Sequence, residues 1–159
     1  RDPQDAQAAS ELARRYFDLA AAEGDPRYVG YAQAAIQPWW EQTDPPVQVR
    51  VMRAVLLQYG HRFDEALADL NAAVAKQPDL AEAWAWLAAI HMVQSNYPQA
   101  RRACEGLAPL APLLIRSGCF AYVDSVTGRA SVGAEALRTT LNTAPTTGGA
   151  TGGTRWMTL

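Results

Sequence analysis

The sequence predicts an all-α fold, an array of antiparallel helix hairpins, on three observations. Ala-rich segments carry apolar residues at three- and four-residue spacing, as helices with one buried face do. Runs alternating Val, Ile or Thr with polar residues, as strands would, are nearly absent. Small, aromatic and Pro residues recur thirty-four positions apart: Ala54 and Ala88, Phe63 and Tyr97, Ala66 and Ala100, Pro78 and Pro112. A fixed period of that size marks a chain built from one repeated supersecondary unit.

The elements follow in order. A first helix is expected over 5–23, with Leu12, Tyr16 and Leu19 on one face. Gly24-Asp25-Pro26 stops it, and Pro26 suits the first turn of a second helix, where its missing N–H costs nothing. That helix carries Tyr28, Tyr31, Ala32 and Ile36 and is expected to reach Trp40. Thr43-Asp44-Pro45-Pro46 is a break. Four helices come next, over 47–59, 63–76, 80–94 and 97–107. Their joints are Gly60-His61-Arg62, Gln77-Pro78-Asp79 and Ser95-Asn96. A last pair spans 113–126 and 132–141, with Thr127-Gly128-Arg129 between. Connections this short predict hairpins over about 5–44, 47–78, 80–112 and 113–141. Residues 142–154, rich in Thr and Gly, read as a flexible polar loop, and 155–159 turn apolar again.

Composition bounds the function. The chain has 159 residues, 49% of them hydrophobic, so it can support a core. Its 14 Lys and Arg stand against 16 Asp and Glu, a net charge of -2. A nucleic-acid partner needs a dense basic surface and is not expected. No apolar run approaches the roughly 18 residues of a spanning helix, so membrane insertion is not expected either. The chain starts at Arg1 without a charged-then-apolar leader; either a targeting segment was removed or the chain begins inside a longer protein.

Candidate chemistry is sparse. Residues 128–133 resemble a nucleophile elbow only faintly, because the Gly-x-Ser-x-Gly spacing and the preceding strand are missing. Residues 148–153 match a phosphate loop in glycine count alone, with no following Lys. His61 falls in a turn and His91 on a helix, without the spacing of a metal pair, and two cysteines are too few for a four-cysteine zinc site. No catalytic residue, cofactor or metal ligand is expected. The pairs Arg14-Arg15 and Arg101-Arg102 read as solvated helix faces.

The repeat has a recognisable pattern. Residues 81–112 contain Trp84-x2-Leu87-Ala88-x2-His91, then Ala100-x3-Cys104, then Pro112. Residues 47–78 contain Arg50-x2-Arg53-Ala54-x2-Leu57, then Ala66-x3-Leu70, then Pro78. Small residues sit where two helix backbones approach, and each Pro breaks the chain before the next helix. The chain thus resembles the tetratricopeptide repeat family. The flanks read as degenerate copies. Leu12-Ala13-x2-Tyr16 fits a first helix whose partner, Ala32-x3-Ile36, arrives late. Gly118-x2-Ala121-Tyr122-x2-Ser125 is followed by Ala136, about two residues late. Trp156-x2-Leu159 reproduces Trp84-x2-Leu87, as if another repeat began there, and Pro3 resembles the closing Pro of an earlier one; frayed tails are the other reading of both ends.

The resemblance implies a right-handed superhelical array of about three and a half hairpins, one domain over 1–159 and part of a longer solenoid. It also implies a concave surface lined by the first helices of the hairpins. Arg14, Phe17, Gln48, Val51 and Val55 would line one part, with Gln7. Glu82, Trp86, Ala89, Arg116 and Val123 would line the other. Its middle is apolar, which suits a protein or peptide segment with apolar anchors. Some family members grip a chaperone's C-terminal carboxylate, but Ser10, Arg14, Met52, Glu82 and Trp86 break that pattern. The expected role is a non-enzymatic interaction scaffold or assembly factor. The alternative is a structural solenoid segment that spaces modules or self-associates into a homo-oligomer, with Trp156 and Leu159 as contacts. Residues 12–40 also resemble a group of uncharacterised bacterial repeat proteins, which implies export to the cell envelope or periplasm.

The aromatic and sulfur residues complete the reading. Trp84 is expected in the core; Trp86, about 200° further round the helix, lines the groove or packs on a neighbouring repeat. Adjacent Trp39 and Trp40 cannot both face one core. Cys104 and Cys119 are equidistant from the turn at about residues 111–112, each about 11 Å of helix away. Facing positions at matched heights allow a disulfide, which an exported setting would oxidise. Two buried thiols are the other reading.

Overall fold

The computed structural model describes residues 5–143; Pro3, most of the Thr- and Gly-rich stretch and the Trp156–Leu159 pattern lie outside them. The described residues are helical, without a strand. In order they form α1 (Ala6–Glu23), α2 (Arg27–Ala35), α3 (Val47–Tyr59), α4 (Phe63–Lys76), α5 (Ala81–Val93), α6 (Tyr97–Leu107), α7 (Leu113–Val126) and α8 (Ala130–Thr143). They fall into two compact units, divided between Gln77 and Pro78.

In the first unit α1 packs on α2 and α3 on α4. The Asp5 carboxylate caps α1 by accepting from the Ala8 N–H at 3.0 Å. Gly24 ends the helix at φ 67°, in the left-handed region. The buried stripe of α1 is Ser10, Ala13, Phe17 and Ala20, not Leu12, Tyr16 and Leu19. Ala13 and Ala32 are fully buried, and small side chains there favour close packing of the two helices. Tyr16 instead stacks on Tyr28 and meets Tyr31, with ring centroids 6.3 and 5.6 Å away.

α2 stops at Ala35 rather than reaching Trp40. Pro38 disfavours helical geometry at the residue before it, and the chain tightens into a 3-10 turn over Gln37–Trp39. Trp39 is buried and Trp40 half-buried. Arg53 on α3 anchors this turn by donating to the carbonyls of Trp40 (2.6 Å) and Gln42 (2.9 Å). It also donates two bonds of 2.7 Å to the Asp69 carboxylate on α4, and Asp69 holds the Arg53 guanidinium above its ordinary pKa. Buried Arg50 donates to Asp44 at 2.6 Å and lies 3.6 Å from Asp69. Lys76 adds a second cation beside Asp44 and holds that carboxyl below its usual range.

In the second unit α5 packs on α6, α6 on α7, and α7 on α8. Trp84 is half-buried and lies over α6. A Cβ at Gly106 would sit 2.5 Å from its Cδ2, so α6 needs glycine there. The indole Nε1 of Trp84 donates to the Pro78 carbonyl at 2.8 Å. The expected order of burial is thereby reversed: Trp86 is the more deeply buried of the two.

The last hairpin runs on a different count. His61 (φ 59°) and Ser95 (φ 57°) occupy the left-handed region thirty-four residues apart, but the next such residue, Gly128 (φ 80°), comes thirty-three later. The turn itself keeps three residues; the missing one lies before α7, which starts directly after Pro112 where α5 starts three residues after Pro78, and α8 begins at Ala130, not Val132. The residue at the close crossing is Gly133, whose added Cβ would lie 3.0 Å from the Ala121 backbone. Gly133 is buried, whereas Ala136 is exposed.

Candidate functional site

A groove of about 390 Å³ runs between α5 and α7 in the second unit. α5 contributes Ala85, Trp86, Ala88, Ala89 and Met92. α7 contributes Leu114, Ile115, Gly118, Cys119 and Tyr122, and Leu107 at the end of α6 completes the lining. None of these eleven residues carries a charge. Ala85 and Ala89 on successive turns of α5 and Gly118 on α7 put small residues in the lining, so the floor is recessed between larger side chains. An added Cβ at Gly118 would meet nothing within 4 Å. Trp86 is buried and its Nε1 has no hydrogen-bond partner.

The structure divides the expected groove residues. Trp86 and Ala89 line the groove together, whereas Glu82 and Arg116 are not among its lining residues. Val123 is 2% exposed and lies towards α6, near Tyr97, Pro98 and Arg101, so it has no surface to offer. In the first unit Val55 is 0% exposed, and Val51 and Phe17 are also buried; these three are core. Gln48 is exposed and Arg14 half-buried.

The residues missed on α7 have one cause. The lining residues Ala85, Trp86 and Ala89 have counterparts thirty-three positions on: Gly118, Cys119 and Tyr122. A period of thirty-four carried into the last hairpin selects Arg116 and Val123 instead, each one residue past the wall. The signal lies after Pro112, where α7 starts at once, whereas α5 starts three residues after Pro78.

Opposite the groove, α7 is held to α6 by charge. Asp124 accepts from Arg101 of α6 at 2.9 Å, and Arg101 lies 5.4 Å above the Phe120 ring; Arg129, in the turn before α8, also donates to Asp124 at 2.6 Å. Nearer the start of α7, Cys119 is joined to Cys104 of α6, with Cα atoms 5.8 Å apart. Cys104 is 1% exposed, while Cys119 is half-buried at the groove. His91 on α5 has an unpartnered Nδ1, and burial lowers its pKa. Among the described residues no group of three metal-ligating side chains comes together. No helix among them is long and apolar enough to cross a membrane.

Comparison with known families agrees with this architecture: the tetratricopeptide repeat model matches residues 57–113. That stretch belongs to the tetratricopeptide repeat family. It runs from the end of α3 to the first residue of α7 and includes the α5 wall of the groove. Tetratricopeptide repeats mediate protein–protein interaction and are typically non-catalytic. The search of curated proteins returns no match.

Proposed function

We propose that the chain is a non-enzymatic interaction scaffold or assembly factor that takes a protein or peptide segment into the groove between α5 and α7. The observation that carries this reading is the uncharged lining with its recessed floor. An apolar side chain seated there loses contact with water at a gain of roughly 25 cal/mol per Å². A charged one would be desolvated without a partner. The ligand is therefore a segment presenting one or two large apolar anchors on a helical or extended backbone. Tyr122, 61% exposed, and Leu114, 41% exposed, form the outer rim on which its flanks would rest.

Peptides selected from a displayed random library test this directly. Hydrogen exchange of the complex should show protection over 85–92 and 114–122. Protection confined to the first unit would overturn the reading.

A second reading, self-association, is favoured by one feature of the last hairpin. Leu113, Val126, Val132 and Leu141 are large, apolar and exposed on α7 and α8. Sedimentation velocity decides it: a concentration-dependent dimer that Val132→Asp abolishes supports it, and a monomer at all concentrations removes it.

A further inference from the structure

The bridge between Cys104 and Cys119 joins the helix behind the groove to the helix that forms one of its walls. Of the fourteen residues of α7 only Val123 and Asp124 are buried, and both lie in its second half. The ion pairs to Asp124 and the Arg101–Phe120 contact lie in that half as well. The first half, which carries Leu114, Ile115, Gly118 and Cys119 of the groove wall, has no buried residue. There the tie to α6 is the disulfide, and a 2.9 Å hydrogen bond between the Ser117 and Thr140 hydroxyls joins this half to α8 alone.

The geometry points to a redox-gated groove: the Cys104–Cys119 bridge fixes the first half of α7 as a binding wall, and reducing it releases that wall. This rests on the groove being the binding site, and it adds how that site is switched. The exchange has a defined direction. Cys104 is out of reach, so a dithiol reductant attacks with its thiolate on Cys119 Sγ at the groove. The Sγ–Sγ bond breaks, and Cys104 leaves as a thiolate that takes up a proton. The reductant's second thiolate then attacks its own sulfur in the mixed disulfide and releases Cys119, which is protonated in turn. Two electrons pass from the dithiol, which ends as a disulfide, to the protein, which ends with two thiols. A ligand seated over Cys119 covers the attacked atom. Occupancy therefore slows reduction; separately, because the fixed wall binds the segment more tightly than the released one, occupancy favours the bridged form at equilibrium.

Hydrogen exchange by mass spectrometry, with the intact chain oxidised or treated with dithiothreitol, tests the gate without a ligand. A gain of two hydrogens in intact mass verifies reduction. The expected result is exchange over 113–122 at least ten-fold faster after reduction, with α5 and α6 unchanged. Unchanged exchange over 113–122 in fully reduced protein overturns the proposal. So does equal loss of protection throughout α5 and α6, because the bridge then staples the whole unit rather than gating its wall. Library-selected peptides separate this from the groove reading. A ten-fold weaker affinity for the Cys104→Ala,Cys119→Ala chain supports the gate, whereas equal affinity overturns it and leaves the groove standing.

Discussion

The hairpins α3–α4 and α7–α8 share one plan and are held together by different means. α3 and α4 bury eight and five residues, among them Arg50 and Asp69, so apolar packing and an ion network act in the same place. α7 and α8 bury two each, which leaves too little core to fix both helices by packing alone. A disulfide and the Arg101–Asp124 ion pair bind α7 to α6 instead, while Arg129 of the turn before α8 shares the Asp124 carboxylate. The thinly packed hairpin also carries the groove wall and the exposed apolar residues. A repeat can thus trade core for accessible surface if a local tie replaces the missing packing.

The largest effect is expected at the ion network. Asp69→Ala takes from buried Arg50 and half-buried Arg53 the α4 carboxylate that they share and should cost about 3–5 kcal/mol. Urea unfolding followed by hydrogen exchange within α3 and α4 measures it. A loss below about 1 kcal/mol would mean that packing alone closes this hairpin.

The next effect tests close packing in the second unit. Gly106→Ala drives a methyl group into the Trp84 ring and should cost about 1–3 kcal/mol. Trp84→Leu should absorb much of that, so the double variant should be markedly less destabilised than the sum of the two singles. Strict additivity in a thermal-unfolding cycle would contradict the contact.

Smaller still, and of opposite sign, is the turn between hairpin helices. Ser95 holds a left-handed conformation that costs a non-glycine residue about 1–2 kcal/mol, against which glycine's extra unfolded-state freedom must be set. Ser95→Gly should stabilise by about 0.5–1 kcal/mol, and Gly128→Ser should lose a similar amount in the last hairpin. Denaturation midpoints that move the other way would contradict this.

The smallest effect concerns His91. Burial disfavours its charged form, so its folded pKa lies below the ordinary value near 6.5. In the window between the two values the unfolded chain binds more protons than the folded one. The neutral, half-buried His91 therefore supports the fold above about pH 6.5, and that support is lost as pH falls through the folded pKa. Between pH 7.5 and 5.5 the melting temperature of the native chain should fall further than that of His91→Gln. Equal falls would place the pH response elsewhere.

The helices were legible because their signals are local. Pro46, Pro78 and Pro112 mark starts, and the Ala54–Ala88 and Ala66–Ala100 pairs carry the period. Trp86 and Ala89 could be placed in the groove because they lie within the regular repeat. The buried face of α1 is not legible from side-chain size: Leu12 and Leu19 are larger than Ala13 and Ala20, but close packing selects the small ones. Arg116 and Val123 fall outside the wall because one residue is missing between Pro112 and the groove residues of α7, and a one-residue slip turns a helix by about 100°. The Arg53–Asp69 pair could not be read at all, because its partners are sixteen residues apart and their pairing depends on how α3 meets α4.

Two matched glycine substitutions test the groove most directly. Gly118 lies in the groove and Gly30 on α2, and an added Cβ at either meets nothing within 4 Å. Leucine at each raises helix propensity by a similar amount, so both variants should fold. Titration of library-selected peptides by isothermal calorimetry should show Gly118→Leu binding at least ten-fold more weakly than the native chain and Gly30→Leu binding equally well. Undiminished binding by Gly118→Leu would contradict the groove between α5 and α7 as the binding site.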